Sequence, residues 1–192
     1  MKFRKPLKIT SRTSSITNAF VQAIIPSVEP SAEEEAEALS ILGMTLETIQ
    51  CVYCGDPATD WDHLRSYVRK KEPSGYVNDV RNIVPSCGPC NQSKSGSKWK
   101  AWMQGPASGS PKTRGIADLD RRIALIEKFE AWGNVERFPI RESVGEDEWR
   151  TYWERRDEIN AKLREAQMQA DRIKDKLTAE LEMRQSKASS VT

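Results

Sequence analysis

The sequence predicts an α+β fold in which a small module of two strands and a helix is flanked by helices and followed by a long C-terminal helix. Two Cys-x-x-Cys pairs, at residues 51–54 and 87–90, enclose two short segments rich in β-formers. Residues 146–187 form a charged stretch in which spacings of three and four residues alternate, which is typical of one long helix. A chain of 192 residues can form one ordinary core with appendages.

The N-terminal part divides into an arm and a helical lead-in. Residues 1–30 mix Ser, Thr, Pro and basic groups without periodicity, which predicts a flexible basic arm. In the lead-in, residues 31–50, Ser31 is a predicted N-cap, and three glutamates follow it in the first turn, where carboxylates complement the helix dipole. We expect that helix to end near Gly43.

The central module covers residues 51–103 and alternates short elements with a loop. Residues 58–64 and 80–85 are predicted strands, separated by a loop that contains Pro, Ser and Gly. A helix is predicted from residue 88 to residue 103, despite a glycine within it, and the turn-rich residues 104–115 are predicted to be a linker.

A helical region is predicted over residues 116–192. It begins with an amphipathic helix over 116–132 that Gly133 stops. The long helix after it carries a heptad seam made of Trp149, Tyr152, Arg156, Ile159, Leu163, Ala166, Ala170, Ile173 and Leu177. The seam fits a homodimer contact, a hairpin with the 116–132 helix, a surface for another protein, or a solvent-exposed helix packed on its own domain.

The net charge of +2 conceals a strong segregation of charge along the chain. Residues 1–12 carry five basic groups and no acidic ones, whereas residues 13–62 carry nine acidic groups and neither Lys nor Arg. Residues 63–114 carry ten Lys or Arg against two acidic groups, a local excess of +8. The excess indicates a polyanion as partner, although a basic surface that only aids solubility explains the charge equally well.

The composition argues against a membrane protein and against secretion. The mean hydropathy is −0.66, and no segment approaches the ~20 consecutive apolar residues that span a bilayer. The short apolar run at residues 19–26 lacks a convincing cleavage site and precedes several glutamates. We therefore expect a cytoplasmic location with reduced cysteines.

All four cysteines lie in the two pairs, Cys51/Cys54 and Cys87/Cys90. A two-residue gap lets both thiolates of a pair reach one ion, and two pairs complete a tetrahedral site. Four sulfur ligands favour zinc, and a closed site of this kind is structural. The 32 residues between the pairs exceed the usual ribbon spacing, so something is inserted there. A redox dithiol is the alternative reading of the pairs.

The inserted segment contains Asp62 followed by His63, which is the one histidine of the chain. Further polar residues follow at set places: Asn82 before Ile-Val in the second predicted strand, Asn91 directly after Cys90, and Lys94 one turn later. Residues 51–94 resemble the HNH, or ββα-metal, endonucleases. The resemblance rests on the motifs CVYC…DWDHL…NIVPSCGPCNQSK. The similarity is to the subgroup with a double Cys-x-x-Cys and Asn as third motif residue, which includes junction-resolving and restriction enzymes.

The resemblance implies a metal-dependent endonuclease that hydrolyses phosphodiester bonds. His63 would activate the attacking water, Asp62 and Asn91 would hold one catalytic divalent cation, and Asn82 would orient the His63 ring, with Asn78 as the alternative. Elementary chemistry agrees, because a neutral imidazole is a suitable base near pH 7. Two oxygen ligands favour Mg²⁺ or Mn²⁺ beside the structural zinc.

The predicted partner is DNA, with RNA not excluded. Nucleic-acid contacts are predicted from six basic residues: Arg65, Arg69, Arg81, Lys94, Lys98 and Lys100. Trp99 and Trp102 are expected in the core rather than stacked on bases. Two alternatives stay open: a non-catalytic zinc-dependent DNA-binding module, and a nuclease subunit that is active only within a larger defence or phage complex.

Overall fold

Helices predominate over residues 6–189, the part of the chain that the computed structural model describes. The helices are α1 (Thr13–Ala23), α2 (Ala32–Ile41), α3 (Gly88–Lys94), α4 (Trp99–Met103), α5 (Leu119–Gly133), α6 (Ile140–Val144) and α7 (Glu146–Ser189). The strands are β1 (Asp60–His63), β2 (Val68–Arg69), β3 (Glu72–Pro73) and β4 (Ile83–Ser86). The α+β class and the long C-terminal helix are confirmed.

Helix α2 begins as predicted at the Ser31 cap. The Ser31 hydroxyl accepts a hydrogen bond from the Glu34 backbone N–H at 3.2 Å, and the Glu34 carboxylate accepts one from the Ser31 N–H at 2.9 Å. This reciprocal capping box satisfies two donors that a helix N-terminus leaves unpaired. The stretch before it differs from the prediction, because residues 9–23 are helical rather than an irregular arm.

Strands β1 and β4 form an antiparallel pair in which Asp62 lies opposite Val84 and His63 lies opposite Ile83. Because successive side chains of a strand point to opposite faces, the pair has two different faces. One face carries Asp62, Val84 and Ser86, which are buried. Both strands are shorter than predicted, since Val80–Asn82 forms a 3-10 turn that the Asp79 carboxylate caps by accepting from the Arg81 N–H.

The helix predicted over residues 88–103 is two helices, α3 and α4. Ser95 has a φ of +48°, which ends α3, and Lys98 is extended before α4 begins. The four residues between the helices are Ser, Gly, Ser and Lys, and the first three favour helix weakly. The break turns Trp99 and Trp102 inward, so both are buried as expected.

Residues 21–143 form one unit, here called the central unit, with a single apolar core. The core joins α2, the cysteine pairs, α4 and α5 through residues such as Leu39, Val52, Met103 and Phe129. The predicted linker at residues 104–115 is packed rather than free, because Ser110 and Pro111 are buried and the Ser110 hydroxyl donates to the Gly105 carbonyl.

A second unit, the helical unit, comprises the described residues up to Phe20 and those from Val144 onward. Its core is aromatic: the Phe20 ring packs on Tyr152 and Trp153, and the Tyr152 hydroxyl donates to the Phe20 carbonyl at 2.9 Å. The C-terminal part of α7 leaves Ile173, Leu177 and Leu181 exposed. No helix among the described residues is long and apolar enough to cross a membrane.

Candidate nuclease site and zinc centre

The four predicted zinc ligands come together. The Sγ atoms of Cys51, Cys54, Cys87 and Cys90 all lie within 4.8 Å of one another, and those of Cys54 and Cys87 are 3.7 Å apart. Tetrahedral bonding at about 2.3 Å to zinc requires sulfur atoms about 3.8 Å apart. The buried cluster therefore has the ligand chemistry and the size of a structural zinc site.

The surroundings of the cluster supply positive charge. Arg114 donates from one guanidinium nitrogen to the Cys90 sulfur at 3.3 Å and from another to the Asp56 carboxylate at 3.0 Å. Arg122 donates to the carbonyls of Cys51 and Val52. Burial raises the pKa of the Cys54 thiol to about 12, whereas a hydrogen bond with Cys90 lowers the pKa of the Cys51 thiol to about 5. More than one thiolate in this buried cluster would need a compensating cation, and a zinc ion held by the four sulfurs would supply it beside Arg114 and Arg122.

His63 lies on the face of the β1–β4 pair that is turned away from the cysteines. Its ring stacks on Tyr67 with centroids 3.7 Å apart, and its Nε2 atom is 3.5 Å from the Asn78 Oδ1 atom. The Tyr67 hydroxyl donates to the same Asn78 oxygen at 2.8 Å, and the Asn78 amide nitrogen donates to Ser27 at 2.9 Å. An Asn78 oxygen held in this way favours the tautomer with a proton on Nε2, which leaves the Nδ1 lone pair free.

Burial lowers the pKa of the His63 imidazole below its ordinary value of 6.5, against smaller opposing effects of Asn78 and Asp62. A ring with a lowered pKa is neutral at pH 7 and can accept a proton. The side chain is nevertheless half-buried rather than enclosed. These properties are the ones that a general base needs.

The contact predicted between Asn82 and the His63 ring differs from the structure. Asn82 is fully buried, and its amide oxygen accepts from the Arg65 backbone N–H at 2.8 Å while its amide nitrogen donates to the Arg65 carbonyl at 3.0 Å. It therefore fixes the backbone just after His63, and Asn78 is the residue at the ring. Asn82 is directed to the backbone because it sits in the 3-10 turn before β4 rather than within the strand.

Asp62 is engaged in a buried ion pair. Its Oδ2 atom lies 2.9 Å from the Lys94 ammonium and accepts a hydrogen bond from the Tyr53 hydroxyl at 2.6 Å. Lys94 also donates to the Asp62 Oδ1 atom and to the His63 carbonyl, at 3.1 and 2.9 Å. The Lys94 side chain is 0% exposed and that of Asp62 is 6% exposed. The ammonium of Lys94 thus faces Asp62 rather than solvent in this structure, and its phosphate contact stays a prediction.

The predicted cation site at Asp62 and Asn91 does not fit this arrangement. The ammonium of Lys94 already neutralises the carboxylate, and a hydrated cation would have to displace it. Asn91 is half-buried, and its side chain makes no hydrogen bond within the described part of the chain. The oxygen donors have the chemistry that Mg²⁺ prefers, but the structure does not bring them to one open site.

Four of the predicted nucleic-acid contacts line one groove of about 460 Å³, namely Arg65, Arg69, Lys98 and Lys100. Arg137, which sequence analysis missed, lies in the same groove, and it shares the Tyr76 ring with Arg65 at centroid distances of 5.5 and 5.7 Å. Glu127 and Glu130 pair with Lys100 and Arg65. The groove is basic overall.

Arg81 is outside that groove. Its guanidinium pairs with Asp79 at 2.9 Å, so it braces the turn before β4 rather than the groove. Tyr53, Tyr67 and Arg114 are further residues of the site that sequence analysis did not identify. Of these three residues, only Tyr53 could have been identified from the sequence, because it lies between two predicted cysteine ligands. A tyrosine hydroxyl buried there needs a hydrogen-bond acceptor.

One curated protein is similar to part of the chain. The CRISPR-associated endonuclease Cas9 of Corynebacterium diphtheriae is 31% identical over 58 residues, which cover 30% of this chain and 5% of that protein. No family model and no solved structure matches the chain. The similarity to an endonuclease and the four-cysteine cluster fit a nuclease or a zinc module.

Proposed function

We propose that the central unit is a zinc-stapled, HNH-type endonuclease that hydrolyses phosphodiester bonds of DNA with His63 as its general base. One observation carries the proposal: the neutral His63 ring is held by Asn78 and Tyr67 on an open face. The basic groove begins two residues later at Arg65, so the α-carbons of the two residues are at most about 7 Å apart. A substrate strand that occupies the basic groove and passes over His63 would bring one of its phosphates to the base.

The reaction needs few groups of this chain. His63 takes a proton from a water molecule at Nδ1 while the water oxygen attacks phosphorus. The bond from phosphorus to the leaving oxygen breaks, and that oxygen takes a proton from solvent. Arg65 and Lys98 would stabilise the charge that builds on the phosphate, because preorganised cations act strongly at a partly desolvated site.

The family resemblance also implies a catalytic Mg²⁺ or Mn²⁺, but the closed pair of Asp62 and Lys94 does not fit such an ion. The closed pair of Asp62 and Lys94 instead favours a second candidate function, a zinc-dependent DNA-binding module without catalysis. Because the similarity to the endonuclease covers only 5% of that protein, a third candidate function is a subunit that acts within a larger assembly. DNA is the partner in all three.

The test compares the wild type with His63→Ala on duplex, branched and single-stranded DNA and on RNA, with Mg²⁺ or Mn²⁺ present. Loss of a general base should lower the rate by roughly 10²–10⁴-fold, while DNA affinity and thermal stability stay unchanged. Lys112→Ala, which alters an exposed lysine outside the groove, is the control. Cutting by His63→Ala at the wild-type rate would refute the proposal, and binding without cutting by both proteins would leave the non-catalytic module and the subunit of a larger assembly.

A further inference from the structure

The face of the β1–β4 pair that carries His63 also carries the exposed Trp61, the half-buried Ile83 and the buried Pro85. These four side chains form the floor of a groove of about 380 Å³, a volume in the range of small-ligand sites. The opposite wall comes from α2 and the segment after it: Glu35, Ala38, Leu39, Leu42 and Leu46. Most of these residues are apolar, so the groove is suited to an uncharged, flat ligand.

Trp61 is 56% exposed although it belongs to a strand of the core. It is two residues from His63, and alternation along the strand directs both side chains to the same face. No described residue donates to or accepts from its indole. An exposed indole beside the proposed general base offers a stacking surface for a nucleobase next to the reacting phosphate.

The charge of the groove indicates which part of a nucleic acid it would bind, a nucleobase or a phosphate. Its only ionised lining residue is Glu35, apart from the titratable His63, and α2 carries further exposed glutamates while residues 13–62 contain neither Lys nor Arg. The Glu35 side of the groove disfavours a phosphate, which is attracted instead toward His63 and the basic groove that includes Arg65. A neutral nucleobase would be tolerated, and its exocyclic amine could donate to the Glu35 carboxylate.

We propose that this groove binds one unpaired nucleobase, stacked on Trp61 and hydrogen-bonded to Glu35, next to the phosphate that faces His63. Bases of an intact duplex are stacked on each other and cannot enter, and extruding one costs a few kcal/mol. The substrate class is therefore single-stranded or locally unpaired DNA, with adenine, cytosine or guanine favoured over thymine. The inference rests on the proposed function for the neighbouring phosphate, but base binding is measured without cutting.

The experiment titrates the full chain, as wild type and as His63→Ala, into a single-stranded oligonucleotide containing 2-aminopurine, whose fluorescence falls on stacking. We expect quenching with the wild type. Trp61→Ala should remove the quenching and weaken binding by about 5- to 150-fold, the loss of one base–aromatic stack. Trp61→Phe should retain most of both. Phe138→Ala, which removes an exposed aromatic ring outside the groove, should change neither.

Base preference provides the second readout. With cytosine or thymine at an otherwise fixed position, the wild type should bind the cytosine strand more tightly, and Glu35→Gln should narrow that ratio. Quenching by Trp61→Ala equal to that of the wild type overturns the base site, whether or not the protein cuts. If quenching depends on Trp61 but the wild type cleaves no DNA, the nucleobase site is supported and the proposed nuclease activity is refuted. If no oligonucleotide binds at all, both proposals fail.

Discussion

The ammonium of Lys94 is the cation that the buried Asp62 carboxylate faces. Breaking a buried pair by removing one partner leaves an uncompensated charge, which costs about 3–5 kcal/mol. We predict that Lys94→Met lowers the free energy of unfolding of the central unit by that amount, as measured by urea denaturation. Surface pairs such as Lys162–Glu165, both exposed, should cost under about 1 kcal/mol when broken and serve as the comparison.

The Lys94→Met variant also tests whether Asp62 can bind a divalent cation. The double variant Asp62→Asn, Lys94→Met removes both charges and should recover part of the lost stability. If Asp62 can hold a divalent ion once the ammonium is gone, Mn²⁺ should raise the melting temperature of Lys94→Met more than that of the wild type. An unchanged melting temperature would leave Asp62 as a structural residue alone.

Asn78 and Asn82 lie four residues apart and have different tasks. Asn78→Ala removes the acceptor at the His63 ring, so turnover should fall by about 10- to 100-fold, the usual loss for a partner that orients a functional histidine. Asn82→Ala leaves the Arg65 backbone groups unpaired in a buried place, which should cost about 1–3 kcal/mol of stability. Steady-state kinetics and urea denaturation on both variants separate the two effects. Equal effects on turnover and stability would contradict the division of roles.

The cysteine pairs connect the start of the module with α3, and the elements between them depend on that connection. Because structural zinc supplies folding energy, Cys87→Ser should lose the ion and destabilise the whole central unit. Elemental analysis should give about one zinc per wild-type chain and none in the variant. Circular dichroism should show the loss of structure. A folded, metal-free Cys87→Ser protein would show that the core of α2, α4 and α5 suffices.

Local patterns predicted the elements whose cause is local. The Ser31 cap follows from residues 31–34, and the two-residue gap within each cysteine pair is visible in the sequence. The burial of Trp99 and Trp102 was expected from residue type, although it depends on the distant partners Glu130 and Tyr53. Other features depend on contacts distant in the chain. The Lys94 ammonium is paired with Asp62, 32 residues away, and Arg114, in the stretch predicted to be a linker, is paired with Asp56, 58 residues away. A motif reveals that Lys94 matters, but not whether it faces solvent or a buried carboxylate.

Across the central unit, the basic residues and the acidic helix α2 line two different grooves. DNA affinity should therefore fall steeply with salt, with a slope of about −0.9 per neutralised phosphate on duplex and about −0.7 on single strands. Arg69→Ala and Lys98→Ala should each flatten the slope by about one such unit. Lys162→Ala on α7 should not. Binding that is insensitive to salt would mean that the basic groove serves only solubility.

The seam of α7 divides into two parts, and this division sharpens the prediction of a homodimer. Its first part, around Trp149 and Trp153, is buried within the helical unit, whereas Ile173 and Leu177 are exposed at heptad spacing. If two chains pair along the exposed part, Ile173→Lys with Leu177→Lys should weaken the dimer at least roughly tenfold, because each buried Leu or Ile contributes about 1.5–3 kcal/mol. Asp175→Lys adds a similar charge away from the seam and should leave the association unchanged. Sedimentation across a concentration series measures the association. Under the proposed function one His63 site would cut one strand, so the ratio of double-strand breaks to nicks in a circular duplex would report the consequence of pairing. Wild-type protein that sediments as a monomer at every concentration would rule out self-association and leave the exposed part of α7 for a different protein.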